Sequence, residues 1–190
     1  MPAKRIFEEK LKKGQNYILC SNHFSFFDIP TLSASFPDAM FVGKDAFKKV
    51  PLFGYMYSRV HVIVDRGRRK GGYDAFSSVL EELDEGRSLI IYPEGGIRSK
   101  NPPELARFME GAFKAAIAKQ IPIIPVTIPY NWIILPRDKR YLFKWHKNEV
   151  FFHKPVETKG MSENDMDILR DKVRNVISKQ LKKSNSNEHR

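Results

Sequence analysis

Residues 17–35, YILCSNHFSFFDIPTLSAS, decide the fold. Tyr17-Ile18-Leu19-Cys20 is an apolar run of strand length, the polar Asn22-His23 follows it, and Ile29 to Ser35 has a helical pattern in which Pro30 falls in the tolerated first turn. A buried strand, a loop and a helix in that order form the first half of an α/β unit. Working outward, strands are predicted at Phe41-Val42, Val60 to Val64, Ser88 to Tyr92, Ile123 to Ile128 and Lys147 to His153. Helices alternate with them, at Asp45 to Lys49, Leu52 to Ser58, over Tyr73, Phe76, Leu80 and Leu83 up to Gly86, and from Glu110 to Lys119. Ser162-x-x-Asp165 predicts a capping box for a last helix carrying Met166, Leu169, Val173, Val176, Ile177 and Leu181. The expectation is one α/β domain over residues 1–190, a mixed and mostly parallel sheet with helices on both faces.

A chain of 190 residues with 42% hydrophobic residues buries one substantial core and is short for two. Its net charge of +11 favours an acidic partner, and nucleic acid, anionic lipid, a phosphorylated cofactor and an acidic carrier protein all qualify. The aromatics cluster in apolar segments and are not interleaved with basic residues as base-stacking platforms would be, which argues against nucleic acid. One cysteine, Cys20, excludes an intrachain disulfide and suits a reducing, cytoplasm-facing compartment.

No uncharged apolar run reaches the roughly 18 residues of a spanning helix, so work on lipid implies peripheral contact or an anchor outside this chain. Two stretches are candidates for that contact. Residues 3–13, within a basic N-terminal segment 1–14, place Phe7 and Leu11 on one helical face, although a solvated terminal helix is the commoner reading. Trp132 to Leu135, after the core strand, either line an acyl groove or membrane contact or pack beneath a loop. The polar tail 184–190 is expected to be disordered.

The chemistry concentrates in two motifs. In Asn22-His23-Phe24-Ser25-Phe26-Phe27-Asp28, positions 23 and 28 would differ by roughly 500° on an ideal helix and could not share a face. A strand end followed by a helix start lets the loop fold Asp28 back onto one imidazole nitrogen, leaving the other to accept a proton from a substrate hydroxyl. This is a base and its orienter without a protein nucleophile, as a nucleophilic substrate requires. Taken alone, the spacing more commonly describes a loop histidine before an Asp helix cap.

The second motif, Tyr92-Pro93-Glu94-Gly95-Gly96-Ile97-Arg98-Ser99, ends a strand with paired glycines whose N–H groups can face an anion. Glu94 can fix Arg98 or meet a substrate hydroxyl, and a plain surface turn is the alternative. Arg66 follows strand 60–64, where ligands of α/β sheets bind, and a solvated basic loop fits it equally well. The five histidines show no metal-ligand spacing, and Cys20 in an apolar strand reads as a core residue.

Four segments in series resemble the blocks of the lysophosphatidic acid acyltransferase family of glycerolipid acyltransferases. Asn22 to Asp28 resembles N-H-x-S-x-x-D, Val62-Ile63-Val64-Asp65-Arg66 the block ending in arginine, Tyr92 to Ser99 F-P-E-G-T-R-S, and Ile124-Pro125-Val126-Thr127-Ile128 the V-P-V block. Gly96-Ile97 stands where that third block has a single Thr, and no lysine shortly precedes Gly111. The resemblance implies a glycerolipid acyltransferase-like fold, His23 as general base and Asp28 as its partner. It also implies an acceptor site of Asn22, Ser25, Lys44, Arg66, Glu94, Gly95, Gly96 and Arg98. An acyl-CoA or acyl carrier protein thioester would be co-substrate, with a lysophospholipid acceptor, no bound cofactor or metal, and a place on the cytoplasmic face of a membrane.

Overall fold

The computed structural model describes residues 2–44, 61–64, 71–137 and 143–186. Arg66 and the helices expected at Asp45 to Lys49 and Leu52 to Ser58 lie outside the described residues. Seven strands form one sheet: β1 Lys4–Phe7, β2 Ile18–Ser21, β3 Ala39–Lys44, β4 His61–Val64, β5 Ser88–Ile91, β6 Ile123–Thr127 and β7 Glu149–Phe152. Their spatial order is β1-β7-β6-β2-β5-β3-β4, parallel throughout except for the antiparallel β6–β7 pair. The helices are α1 Asp28–Ser35, α2 Gly71–Asp84, α3 Gly111–Lys119, α4 Asn131–Ile134 and α5 Met166–Ser186.

Strand alternation sorts the core into two layers. Ile18, Cys20, Leu89 and Ile123 face Val79 and Leu83 of α2, Phe113 and Ala116 of α3, and Leu169, Val173, Ile177 and Leu181 of α5. Leu19, Ile90, Ile124 and Val126 face the opposite way, towards Leu32 of α1 and Phe152. Burying each such aliphatic side chain contributes about 1.5–3 kcal/mol, so β2 and β6, wholly buried along their lengths, anchor the domain. The expected α/β sheet with helices on both faces is the observed one.

Two local expectations change. Residues 4–7 are a strand, not a helix: they pair in parallel with β7 from Lys4↔Glu149 to Phe7↔Phe152, and the Phe7 and Phe152 rings stack at 4.4 Å. An open sheet edge offered more backbone hydrogen bonds than an isolated basic helix could form for itself. At the other end, α5 continues to Ser186, with Ser184 buried, so 184–186 are ordered helix and 187–190 lie outside the described residues. Residues 131–134 form a short helix whose Ile134 is fully buried and whose Trp132 packs against the core, donating Nε1–H to Pro129 O at 2.8 Å. Ile134 follows the packed alternative, whereas Trp132, packed on the core, also borders a cavity. The capping box of Ser162 and Asp165 forms as expected and opens a 3-10 turn, Glu163–Asp165, ahead of α5.

Candidate active site

Register brings the two motifs together. β2 pairs Cys20 with Ile91 of β5 on one side and Ser21 with Val126 of β6 on the other, so the chain segments leaving β2, β5 and β6 emerge side by side at the carboxyl edge of the parallel strands. That is where parallel α/β sheets bind ligands. Asn22 locks the edge: its Nδ2–H donates to Ile128 O at 2.9 Å, and Ile128 N–H returns a bond to its Oδ1 at 2.8 Å.

His23 Nδ1 lies 2.9 Å from Oδ2 of Asp28. The same carboxylate oxygen accepts the N–H groups of Phe24 at 2.8 Å and Ser25 at 2.9 Å, so the loop curls around Asp28 as the first residue of α1. A carboxylate receiving those two main-chain donors acts as an acceptor towards the ring, placing the proton on Nδ1 and leaving the Nε2 lone pair free. His23 and Asp28 are both buried, which excludes competing water from their contact. Ser25 holds the far side of the loop, its hydroxyl donating to Leu135 O at 2.8 Å and accepting Phe27 N–H at 3.1 Å.

Tyr92 stacks on the His23 ring at 3.9 Å and 15°, fixing the plane of the imidazole. Burial, with the Asp28 charge adding to it, holds the Tyr92 hydroxyl well above its ordinary pKa, as a neutral phenol. Glu94 is fully buried, and both carboxylate oxygens are taken: Oε1 by His23 N–H at 2.9 Å and Oε2 by Ala106 N–H at 2.8 Å. Burial raises its pKa, and Asp28 adds to that, while the two N–H bonds and His23 pull it down. Gly95 and Gly96 have φ of 75° and 144°, a backbone path that side chains rarely adopt; added bulk at Gly96 would meet nothing within 4 Å, so glycine is there for conformation and not for space.

Arg98 is exposed beside this turn. Lys44 ends β3, with its side chain outside the described residues, as Arg66 is entirely. Asn22, Ser25 and Glu94, expected at the substrate, hydrogen-bond main chain at the edge where the loops converge, because buried N–H and C=O groups there need partners. Sequence reading missed Tyr92 as the ring support. Its signal was present, since Tyr92 follows the last strand residue of β5 and β5 lies beside β2. Burial pushes the Cys20 thiol far up, which keeps it un-ionised and inert. Among the described residues no three His, Cys, Asp or Glu side chains converge as metal ligands.

Known proteins resemble this chain in sequence and in fold. The chain is 30% identical over 185 residues to the 1-acyl-sn-glycerol-3-phosphate acyltransferase of Saccharomyces cerevisiae, covering 96% of this chain and 60% of that one. It is 34% identical over 116 residues to the Escherichia coli enzyme of the same name, covering 60% and 46%. It is 28% identical over 165 residues to the chloroplastic BAT2 of Brassica napus, which carries that name too, covering 86% and 46%. The chain thus spans about half the length of these relatives. The crystal structure of the 1-acyl-sn-glycerophosphate (LPA) acyltransferase PlsC from Thermotoga maritima superposes with a TM-score of 0.77 at 25% identity, covering 96% of this chain and 73% of that one. Residues 4–129 match the family model described as Acyltransferase, and with the histidine–carboxylate pair lying inside that span the chain belongs to the acyltransferase family.

Proposed function

We propose that this chain transfers a fatty acyl group from an acyl thioester to the 2-hydroxyl of 1-acylglycerol-3-phosphate, giving phosphatidic acid. The observation that carries this reading is the buried 2.9 Å contact of His23 Nδ1 with Asp28, which leaves Nε2 to act as a base on a substrate hydroxyl. The acceptor hydroxyl gives its proton to Nε2 as its oxygen bonds to the thioester carbonyl carbon. The C–S bond then breaks and the departing thiolate takes the proton back from the imidazolium, so no acyl-enzyme forms. Holding both substrates in one place supplies a large share of the rate. Arg98, with Arg66 and Lys44, is assigned to the acceptor phosphate, and either coenzyme A or acyl carrier protein serves as the thiol carrier.

The reading includes peripheral contact with the cytoplasmic face of a membrane, supported by the net charge of +11 and by exposed aromatics beside the site. Purified protein assayed with acyl-CoA and acyl carrier protein thioesters against lysophosphatidate, other lysophospholipids and aminoacyl lipids tests it. Transfer to lysophosphatidate above the other acceptors is the expected result. Transfer only to another acceptor would move the chain to a different lipid, an outcome the longer Gly96-Ile97 turn favours over the loss of all activity. No transfer to any acceptor would leave a binding module.

A further inference from the structure

A cavity of about 750 Å³ opens beside the site, between the turn after β5 and the segment after α4. Phe24, Trp132 and Pro136 supply apolar lining, and Arg98, Lys100 and Arg137 bring three cations to it. Among the described residues no carboxylate lines the cavity, and none of them is ion-paired with any of the three cations. Arg137 is held in place: its Nη1–H donates to the carbonyl of Ile97 at 2.8 Å. Ile97 belongs to the turn that is one residue longer than the F-P-E-G-T-R-S pattern. The longer turn thereby fixes a second guanidinium near Arg98.

We propose that Arg137, together with Lys100, binds the phosphate at the far end of the donor's pantetheine arm, chemistry shared by coenzyme A and the prosthetic group of acyl carrier protein. The assignment rests on the acyl-transfer reading. In the acceptor, phosphate and free hydroxyl occupy neighbouring carbons, so the acceptor's phosphate must lie close to His23. His23 does not line this cavity, whereas its neighbour Phe24 does. Arg98, assigned to the acceptor's phosphate, takes one side of this cavity, which leaves Arg137 and Lys100 for a second phosphate, and in the acyl-transfer reading the donor carries it. The apolar lining suits the intervening arm, and exposed cations suit a polyanion arriving from water.

Calorimetric titration with coenzyme A, with no acyl group and no turnover, reads the site directly. Arg137→Ala should weaken binding about tenfold, the scale of one charge-assisted contact, with Arg137→Lys recovering part of it, and the difference should shrink as salt rises. Titration with 4′-phosphopantetheine identifies the phosphate: a matching loss places Arg137 on the group common to both carriers, and a loss with coenzyme A alone places it on the nucleotide's phosphates. In turnover, Arg137→Ala should raise the KM for acyl-CoA and lower the preference for acyl-CoA over an acyl-N-acetylcysteamine thioester, which has no phosphate, by a similar factor. Equal coenzyme A binding by wild type and a folded Arg137→Ala protein overturns the proposal. So does a KM effect confined to lysophosphatidate, which would give this cavity to the acceptor. Failure of wild-type transfer would sink the acyl-transfer reading separately, because the titrations need no catalysis.

Discussion

The main-chain N–H of His23 donates to Oε1 of Glu94 at 2.9 Å, joining two motifs 71 residues apart into one buried unit. The other oxygen of Glu94 holds Ala106 N–H, so a single carboxylate ties the base's backbone to two stretches of the loop that follows β5. Replacing it by Gln turns an acceptor into an NH₂ group facing one of those donors. Glu94→Gln should therefore cost about 1–3 kcal/mol of stability and lower turnover by shifting His23. The pH dependence has a definite sign. Because burial raises the Glu94 pKa, the native state holds its proton more tightly, so this contribution is present below the ordinary value of 4.5 and is lost as pH rises through the raised value. Urea unfolding across the acid range should show that decline in wild type and its absence in Glu94→Gln.

His23→Ala should leave a folded protein with turnover reduced by about 10² to 10⁴-fold, the usual worth of a positioned general base. Asp28→Asn should be comparably severe, because an amide NH₂ facing Nδ1 favours the tautomer whose proton sits on Nε2, the wrong nitrogen for a base. Turnover and circular dichroism measured together decide it: near-normal activity in folded His23→Ala would end the mechanism.

Tyr92 separates ring from hydroxyl. Its ring stacks on His23, but its buried hydroxyl has no hydrogen-bond partner among the described residues. Tyr92→Phe should keep most activity and be neutral to stabilising, within about 1 kcal/mol, since it removes an unpaired polar atom. Tyr92→Ala should lower kcat by freeing the imidazole. An equal loss in both variants would assign a role to the hydroxyl instead.

The parts of this fold that were legible came from patterns contained within one element. Ile18 to Cys20, Leu89 to Ile91 and Ile123 to Val126 are apolar runs, and Leu169, Val173, Ile177 and Leu181 repeat at helical spacing. The His23–Asp28 contact was legible because both residues lie in one short loop. What was not legible depends on partners remote in sequence. The main-chain bonds of Glu94 and Asn22 join segments 71 and 106 residues apart, and Lys4–Phe7 has no strand signal of its own, its conformation being set by β7 some 145 residues away.

That remote partnership gives a pH test. Glu8, after β1, accepts from the His153 ring at 2.7 Å and from Lys154 N–H at 3.0 Å, and the buried His153 meets Thr127 Oγ1 at 2.8 Å through its other nitrogen. Burial pushes the Glu8 pKa up, but the bonds from His153 and Lys154 outweigh it and the net shift is downward. Its contribution is then present above the ordinary 4.5 and lost as pH falls through the lowered value. Glu8→Gln should be less stable than wild type at neutral pH, with the gap closing in acid. A gap independent of pH would mean that the charge on Glu8 does not hold β1.

Lipid contact should run through aromatics other than the ones sequence pattern suggests. Ile134 is buried and Trp132 packs partly against the core, whereas Trp145 is 88% exposed, Phe143 66% and Phe26, within the His23 motif, 46%. The Phe143 ring meets Phe27 edge-on at 5.5 Å, which places the 143–145 segment against the loop that carries the base. Insertion there would bring His23 to the lipid surface where a lysophospholipid resides. Each basic side chain near an anionic surface contributes about 1 kcal/mol and is screened by salt, whereas aromatic insertion is not. Sedimentation with anionic vesicles should accordingly fall as salt rises but leave a salt-resistant fraction in wild type. In a Phe143→Ala, Trp145→Ala double variant only the salt-sensitive part should remain. Equal sedimentation of both proteins at high salt would place the apolar contact elsewhere, and wild-type protein left in the supernatant at low salt would remove membrane binding from this chain's repertoire.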